Sequence, residues 1–240
     1  MTGTHSIYDH VLVTVLLIAT LVEWRWVWPR FLKRLASGVS NVRVRFYHAA
    51  VLGQWLVALS LIEFWAWRGR PWHWILLSPA APLRLGIGMA FAVLLVGFLY
   101  WQRVEVLKRE EAIDKVRAQI ESVARLLPHT PRERKAFWIV SATAGICEEL
   151  LYRGFMIWYL ALWMGPIAAV IVSSLLFGLG HIYLGWSHIP KTALAGLLFA
   201  CLALASGSLW PAVLLHAAID WNSGELGFRV LSEGFAVVKR

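Results

Sequence analysis

Seven long apolar runs constrain the fold of this chain more than any other feature of its sequence. They cover residues 7–27, 46–67, 83–101, 136–164, 166–183, 191–205 and 209–226. A helix crosses a bilayer with about 20 mainly apolar residues, because only its own backbone hydrogen bonds can satisfy its peptide groups there. The runs predict an all-α protein, a polytopic membrane helical bundle of about seven to eight transmembrane helices in a single domain over residues 1–240. The eighth helix would arise if the fourth run breaks into two.

The composition supports a membrane bundle and excludes other classes. Hydrophobic residues make up 59% of the chain and charged residues only 15%, whereas soluble domains are about 25% charged. Many of the 15 tryptophans flank the runs, as expected for side chains at the headgroup level. The formal charge of +9 comes from residues between the runs rather than along one helix face, so we expect no nucleic-acid partner. Cys147 and Cys201 both lie inside runs, which argues against a disulfide framework.

The distribution of lysine and arginine predicts an orientation. Six basic residues lie in the first connection and nine in the third, from Arg103 to Lys135, but only three in the second. Because cytoplasmic connections carry the basic excess, we predict an N-terminus outside and a cytoplasmic C-terminus. The residues before the first run lack the basic stretch of a cleaved signal, so we interpret that run as a retained anchor.

The third connection contains a predicted amphipathic cytoplasmic helix near residues 104–127. Ile113, Val116, Ile120, Val123 and Leu127 recur at a helical spacing of three and four. The helix would be either a membrane-surface or regulatory element or a solvated cover for the bundle, and the second interpretation is favoured. The sequence Thr-Pro-Arg-Glu that follows at 130–133 predicts a capping box at the start of the next helix.

Ionisable residues inside apolar runs mark candidate functional groups, because each costs about 2.5–3.5 kcal/mol to insert. Three runs, spanning a motif-bearing core at 136–226, contain Glu148, Glu149, Arg153, His181, His216 and Asp220. Glu149 and Arg153 are four residues apart on a helix and can form an ion pair. Glu148 points about 100° away from Glu149, so it is left without a local partner and is a candidate general base or acid.

Two histidines extend this polar group. His216 and Asp220 are also four residues apart, so the carboxylate could hold one imidazole nitrogen while the other faces a substrate, water or metal. His181 would supply a second imidazole. Taken singly, Glu149 with Arg153 could be a structural brace and His181 a packing residue. Three such groups in three consecutive apolar regions favour one shared intramembrane polar site.

These residues form three motifs, Glu-Glu-x-x-x-Arg at 148–153, Phe-x-x-x-His at 177–181 and His-x-x-x-Asp at 216–220. In order and spacing they resemble the CPBP family of intramembrane proteases, which comprises CAAX type II prenyl proteases and bacteriocin-processing or immunity proteins. The resemblance covers roughly residues 137–225. It implies an intramembrane endopeptidase in which Glu148 activates a water while His181 and His216 position it and stabilise the oxyanion. Asp220, where many eukaryotic members have Asn, resembles the bacterial branch, which disfavours prenylated substrates and implies a bacterial inner membrane.

The cofactor and the function class remain open at the sequence level. Glu148, His181 and His216 could form a two-histidine, one-carboxylate zinc site, but no His-Glu-x-x-His helix is present. We expect no cofactor in preference to a divalent metal such as zinc, and as partners a peptide or membrane-protein substrate and the lipid bilayer. The alternative function is a non-proteolytic membrane binding or immunity protein of the same fold. A proton-coupled transporter is disfavoured, because the chain shows no paired half-repeats.

Overall fold

The computed structural model describes residues 5–78 and 81–232, and helices are the only regular structure in this part of the chain. The α-helices are α1 (Ile7–Val22), α2 (Trp28–Ala36), α3 (Val42–Trp67), α4 (Pro82–Leu107), α5 (Glu110–Ile120), α6 (Pro131–Glu148), α7 (Ile157–Met164), α8 (Pro166–Gly180), α9 (His188–Ser206) and α10 (Trp210–Leu231). π-Helical segments occupy Glu23–Val27 and Glu149–Met156, and 3-10 turns occupy Trp72–Ile75 and Ile182–Leu184. The all-α prediction is confirmed.

Four stretches are long and apolar enough to cross a membrane. They are Ile7–Ala36, Val42–Trp67, Pro82–Leu107 and His188–Ser206, and Pro166–Gly180 is a shorter apolar helix. Large apolar side chains such as Leu56, Leu94 and Ile167 point outward, as a lipid environment allows. The predicted helical membrane bundle is thus confirmed, while the count of seven crossings stays a prediction. The helices from Pro131 and from Trp210 contain the polar motif residues, which lower their hydropathy.

The fourth apolar run does not break into two helices. α6 continues through the π-helical segment Glu149–Met156 directly into α7. The backbone is right-handed helical at both ends of this segment. A wider π turn therefore lies where the sequence allowed a break between two helices. π-Helical turns within α-helices are frequently found at functional sites. Here the turn begins at Glu149, immediately after Glu148.

The amphipathic helix is shorter than predicted. α4 extends to Leu107, and α5 covers only Glu110–Ile120. The predicted helical stretch from residue 121 to 127 instead forms turns, because side chains of α3 bind its backbone carbonyl groups. Arg43 Nε donates to the carbonyl of Arg125 at 2.9 Å, and the Tyr47 hydroxyl donates to the carbonyl of Leu126. The predicted capping box at Thr130 is present, since its hydroxyl accepts from Glu133 N.

Small residues bring the motif helices into close contact. α6 packs against both α3 and α10, and α8 packs against α9. A Cβ atom built at Gly145 of α6 would lie 2.7 Å from the Cβ of Ala217, and one at Gly178 of α8 would lie 2.7 Å from the carbonyl oxygen of Ile189. These close approaches place the polar residues of α6, α8 and α10 around one interior region.

Candidate active site

Glu149 is the centre of the buried polar cluster. Its Oε1 accepts from Arg153 Nη1 at 2.9 Å, which confirms the predicted ion pair, and lies 2.7 Å from His216 Nδ1 of α10. The side chains of Glu149 and Arg153 are almost completely shielded from solvent. One carboxylate therefore joins its own helix to α10, and because a carboxylate only accepts hydrogen bonds, it holds the hydrogen of His216 on Nδ1.

Arginine 153 is also packed between aromatic rings. The centre of its guanidinium lies 4.0 Å from the centroid of the Phe177 ring and 5.2 Å from that of Phe199. The Phe199 ring in turn stacks on the His216 imidazole at 4.9 Å. Cation–π contacts of this kind stabilise a desolvated guanidinium. The rings therefore fix both partners of Glu149.

Glu148 points into a different part of the site, as the helical geometry predicts. Its Oε1 accepts from Gln54 Nε2 of α3 at 2.9 Å, and its Oε2 lies 3.9 Å from His216 Nε2. The second distance is too long for a hydrogen bond but is suitable for a bridging water. The side chain keeps 18% of its surface exposed, unlike that of Glu149, so a substrate or water can reach it.

Asp220 does not hold the imidazole of His216 as we predicted. Its Oδ2 lies 3.7 Å from His216 Nε2, beyond hydrogen-bond distance. The orienting carboxylate is Glu149, because α6 and α10 approach closely enough for a residue on the neighbouring helix to reach Nδ1. Asp220 and Glu148 both face Nε2 instead.

His181 lies at the edge of the same cluster. It follows the last residue of α8, and its Nδ1 is 2.9 Å from the carbonyl oxygen of Phe177. Because a carbonyl oxygen accepts, Nδ1 carries the hydrogen and Nε2 is left as an acceptor. Asp220, His216 and Arg153 are all within electrostatic range of His181. The structure thus brings all six predicted site residues together.

Among residues 5–78 and 81–232, no group of three or more His, Cys, Asp or Glu side chains is arranged to hold a metal ion. Of the candidate ligands Glu148, His181 and His216, the last uses one nitrogen for Glu149. Nε2 of His216 stays free, and a carboxylate on the other nitrogen is also found in histidines that bind metals, so the preference for no cofactor stays a prediction.

Two further residues at the site were not predicted. Gln54 is an isolated amide within the apolar run of α3, a signal that could have identified it. Glu23 lies in the first π-helical segment and within electrostatic range of Glu148. Its position depends on how α1 packs against the motif helices, which no local pattern reveals.

Comparison with known proteins identifies the region that contains this cluster. Residues 132–222 match the family described as type II CAAX prenyl endopeptidase Rce1-like. The matched region is less than half of the 240-residue chain, but it contains all six predicted site residues, so the resemblance inferred from the three motifs is confirmed. No curated protein and no solved structure matches the chain.

The Rce1-like match and the long apolar helices together show an integral membrane protein, and the family that residues 132–222 match is a protease family. Gln54 and Glu23 lie outside the matched residues, on the helices that precede them. The Rce1-like motifs therefore provide one side of the polar cluster, and α1 and α3 enclose it from the other.

Proposed function

We propose that this protein is an intramembrane endopeptidase that hydrolyses a peptide bond of a membrane-associated peptide or protein through a water activated by Glu148. The observation that carries the proposal is the environment of the Glu148 carboxylate. One oxygen is held by Gln54, and the other faces His216 Nε2 across 3.9 Å. A water in this gap would contact a proton acceptor on one side and an imidazole on the other.

The reaction begins when the water oxygen bonds to the scissile carbonyl carbon and one of its protons passes to the Glu148 carboxylate. The carbonyl oxygen becomes an oxyanion, which His216 stabilises when its imidazole carries a proton on both nitrogens, while Nε2 of His181, an acceptor, positions the water. The carbon–nitrogen bond then breaks, and Glu148 returns its proton to the leaving amine. Glu149 and Arg153 do not take part in these transfers. They hold His216 in the orientation that points Nε2 at the water.

The substrate approaches through an apolar cavity next to the polar cluster. The cavity has a volume of about 330 Å³ and is lined by Leu16, Leu17, Thr20, Leu21, Trp24, Tyr152, Met156, Leu176, Leu179, Ile182 and Trp186. Tyr152 connects it with the site, since it lies within electrostatic range of Glu148 and its hydroxyl abuts Gly180, next to His181. An apolar segment in this cavity would place an adjoining peptide bond near Glu148.

The location of the protein is part of the proposal. We infer a cytoplasmic C-terminus from the basic excess of the first and third connections, and a bacterial inner membrane from Asp220, which resembles the bacterial branch of the family. The terminal residues from 233 to 240 lie outside the described part of the chain. A non-proteolytic binding or immunity protein of the same fold is the second candidate, in which the polar cluster would hold a peptide or a partner membrane protein.

Cleavage of a fluorogenic peptide library by the purified protein in detergent tests the proposal. We expect turnover by the native protein and none by Glu148→Gln, because an amide keeps the shape of the side chain but cannot take a proton from water. The melting temperature of the variant should stay close to that of the native protein. Binding of peptides without turnover by the native protein would support the binding function instead, and native-like turnover by Glu148→Gln would contradict the role of Glu148.

A further inference from the structure

A second cluster of charged residues lies at the opposite end of α10 from Trp210. Glu225 of α10 accepts two hydrogen bonds from Arg134 of α6, at 2.7 and 2.9 Å, and one from Trp138 Nε1 at 2.7 Å. Both carboxylate oxygens are therefore occupied. Glu225 is 3% exposed, so its carboxylate is buried beside the start of α6 with both oxygens hydrogen-bonded.

Arg103 of α4 lies beside this cluster with its charge uncompensated. It is only 8% exposed, and its guanidinium lies 4.6 Å from the centroid of the Trp221 ring. Its Nη1 has no hydrogen-bond partner among the described residues. Glu225, Arg134 and Arg229 are within electrostatic range of it, and Glu225 already neutralises Arg134. A buried guanidinium nitrogen without an acceptor is costly, so an anion bound to Arg103 would stabilise this region.

The surroundings of Arg103 indicate the chemistry of that anion. Tyr100, Trp101, Trp138 and Trp221 lie around the ends of α4, α6 and α10, and aromatic side chains of this kind favour the headgroup level of a membrane. Under the predicted orientation these helix ends face the cytoplasm, where anionic lipids are common and basic pockets between helices bind their headgroups. Arginine forms paired hydrogen bonds with phosphate oxygens.

We propose that Arg103 and Arg229 bind the phosphate group of an anionic phospholipid at the neighbouring ends of α4 and α10. The guanidinium of Arg103 donates to a phosphate oxygen, and the exposed Arg229 contacts the same headgroup from the surface. Arg134 remains paired with Glu225 and contributes its charge at longer range. This site is separate from Glu148 and does not depend on the proposed proteolysis.

The full-length protein in a neutral detergent provides the test. Its melting temperature is measured during titration with phosphatidylglycerol, with phosphatidylcholine and with inorganic phosphate. We expect stabilisation by phosphatidylglycerol at a lower concentration than by phosphatidylcholine, and none by inorganic phosphate. Arg103→Gln should raise the half-saturating phosphatidylglycerol concentration about tenfold or more, the effect of losing a charge-assisted hydrogen bond.

Two other variants keep the test decisive. Arg229→Gln, at an exposed position, should fold normally and also weaken the lipid effect. Arg84→Gln removes the same charge from the other end of α4, where the guanidinium donates to the carbonyl groups of Leu204 and Ala205, and should leave the lipid response unchanged. An equal loss of response in Arg84→Gln, or a full response in both Arg103→Gln and Arg229→Gln, would overturn the proposal. A stabilisation by inorganic phosphate that equals that of the lipid would show a free-anion site instead.

Discussion

Glu148 and Glu149 are adjacent in sequence but have different surroundings, and substitution should separate their roles. Glu149→Gln would leave the buried Arg153 without its counter-charge. Breaking one side of a buried pair costs about 3–5 kcal/mol, so we expect a clear fall in melting temperature together with loss of peptide cleavage. Glu148→Gln is the matched control, because it makes the same chemical change one residue earlier and should lower cleavage alone.

The double variant Glu149→Gln with Arg153→Gln checks the electrostatic origin of this loss. Removing both charges avoids the isolated buried guanidinium, so part of the lost stability should return, while cleavage stays low because Nδ1 of His216 no longer faces a carboxylate. Thermal unfolding of the single and double variants in one detergent measures the coupling. Additive destabilisation of the two changes would show that the ion pair is not the source of the effect.

Gln54 is a second residue whose role can be isolated. Gln54→Leu removes the hydrogen bond from Nε2 to Glu148 Oε1 at a position where the amide oxygen has no partner among the described residues. We therefore expect kcat to fall about tenfold, the effect of about 1.4 kcal/mol, with little change in melting temperature.

Trp55→Phe is the matched control for Gln54→Leu. It removes the neighbouring hydrogen bond between α3 and α6, from Trp55 Nε1 to Thr143 Oγ1 at 3.2 Å, but does not touch Glu148. Its kcat should stay within about twofold of the native value. This change is smaller than the one expected from loss of a hydrogen bond to Glu148. Equal losses of kcat in the two variants would mean that Gln54 acts only by holding the helices together.

At this scale the sequence predicted contacts within a helix but not contacts between helices. The ion pair of Glu149 and Arg153 follows from a spacing of four residues. The same spacing suggested Asp220 as the partner of His216, and this was wrong, because the residue opposite Nδ1 is Glu149 on another helix. Local periodicity predicts on which face of a helix a side chain lies, whereas the partner of that side chain depends on how the helices pack.

At the scale of secondary structure elements, the contact between α6 and α10 sets the geometry of the site. A Cβ atom at Gly145 would lie 2.7 Å from the Cβ of Ala217 and 2.9 Å from the carbonyl oxygen of Val213. Neither atom can rotate away, so Gly145→Ala should push the two helices apart. Overpacking of this kind costs about 1–3 kcal/mol, and peptide cleavage should fall as well, because Ala217 follows His216 directly.

Gly97→Ala provides the comparison for Gly145→Ala. Gly97 also lies within a helix, but nothing is within 4 Å of the Cβ that alanine would add. Alanine there should stabilise the protein by about 0.5–1 kcal/mol, since glycine is the poorer helix residue. Melting temperatures and cleavage rates of the two variants are measured together. A similar rise in stability in both would mean that the helices at Gly145 can accommodate a methyl group.

The helices themselves were largely predictable because apolar runs of membrane length have few alternatives to a helix. The predicted helix boundaries were wrong where contacts with residues distant in sequence determine the structure. The end of the amphipathic helix is fixed by Arg43 and Tyr47 of α3, which no pattern within 104–127 shows. The π-helical continuation after Glu148 is also invisible to periodicity, since a single wider turn hardly changes the hydrophobic pattern.

At the scale of the whole molecule, two sets of ion pairs mark the opposite faces of the bundle. On one face Arg70, just after α3, forms a bidentate pair with Asp9 of α1, with both distances at 2.7 Å. On the other face Arg43, at the start of α3, lies 3.4 Å from Glu133 at the start of α6. The N-terminal end of α1 and the C-terminal end of α3 are thus on one side, and the basic third connection is on the other.

The distribution of basic residues predicts which of these faces lies in the cytoplasm. The side of the bundle that contains Arg43 also contains the basic excess. We therefore expect this side to face the cytoplasm and the side that contains Arg70 to face outward. Single cysteines replace Glu111 in α5 or the exposed Arg68 in a Cys201→Ser background, which keeps the buried Cys147. An impermeant thiol reagent added to intact cells should label the cysteine at position 68, and the one at 111 only after lysis. Thr4 would be an alternative position for the outer cysteine, but it lies outside the described residues. Labelling at 111 but not at 68 in intact cells would mean that the protein is inserted with the opposite orientation.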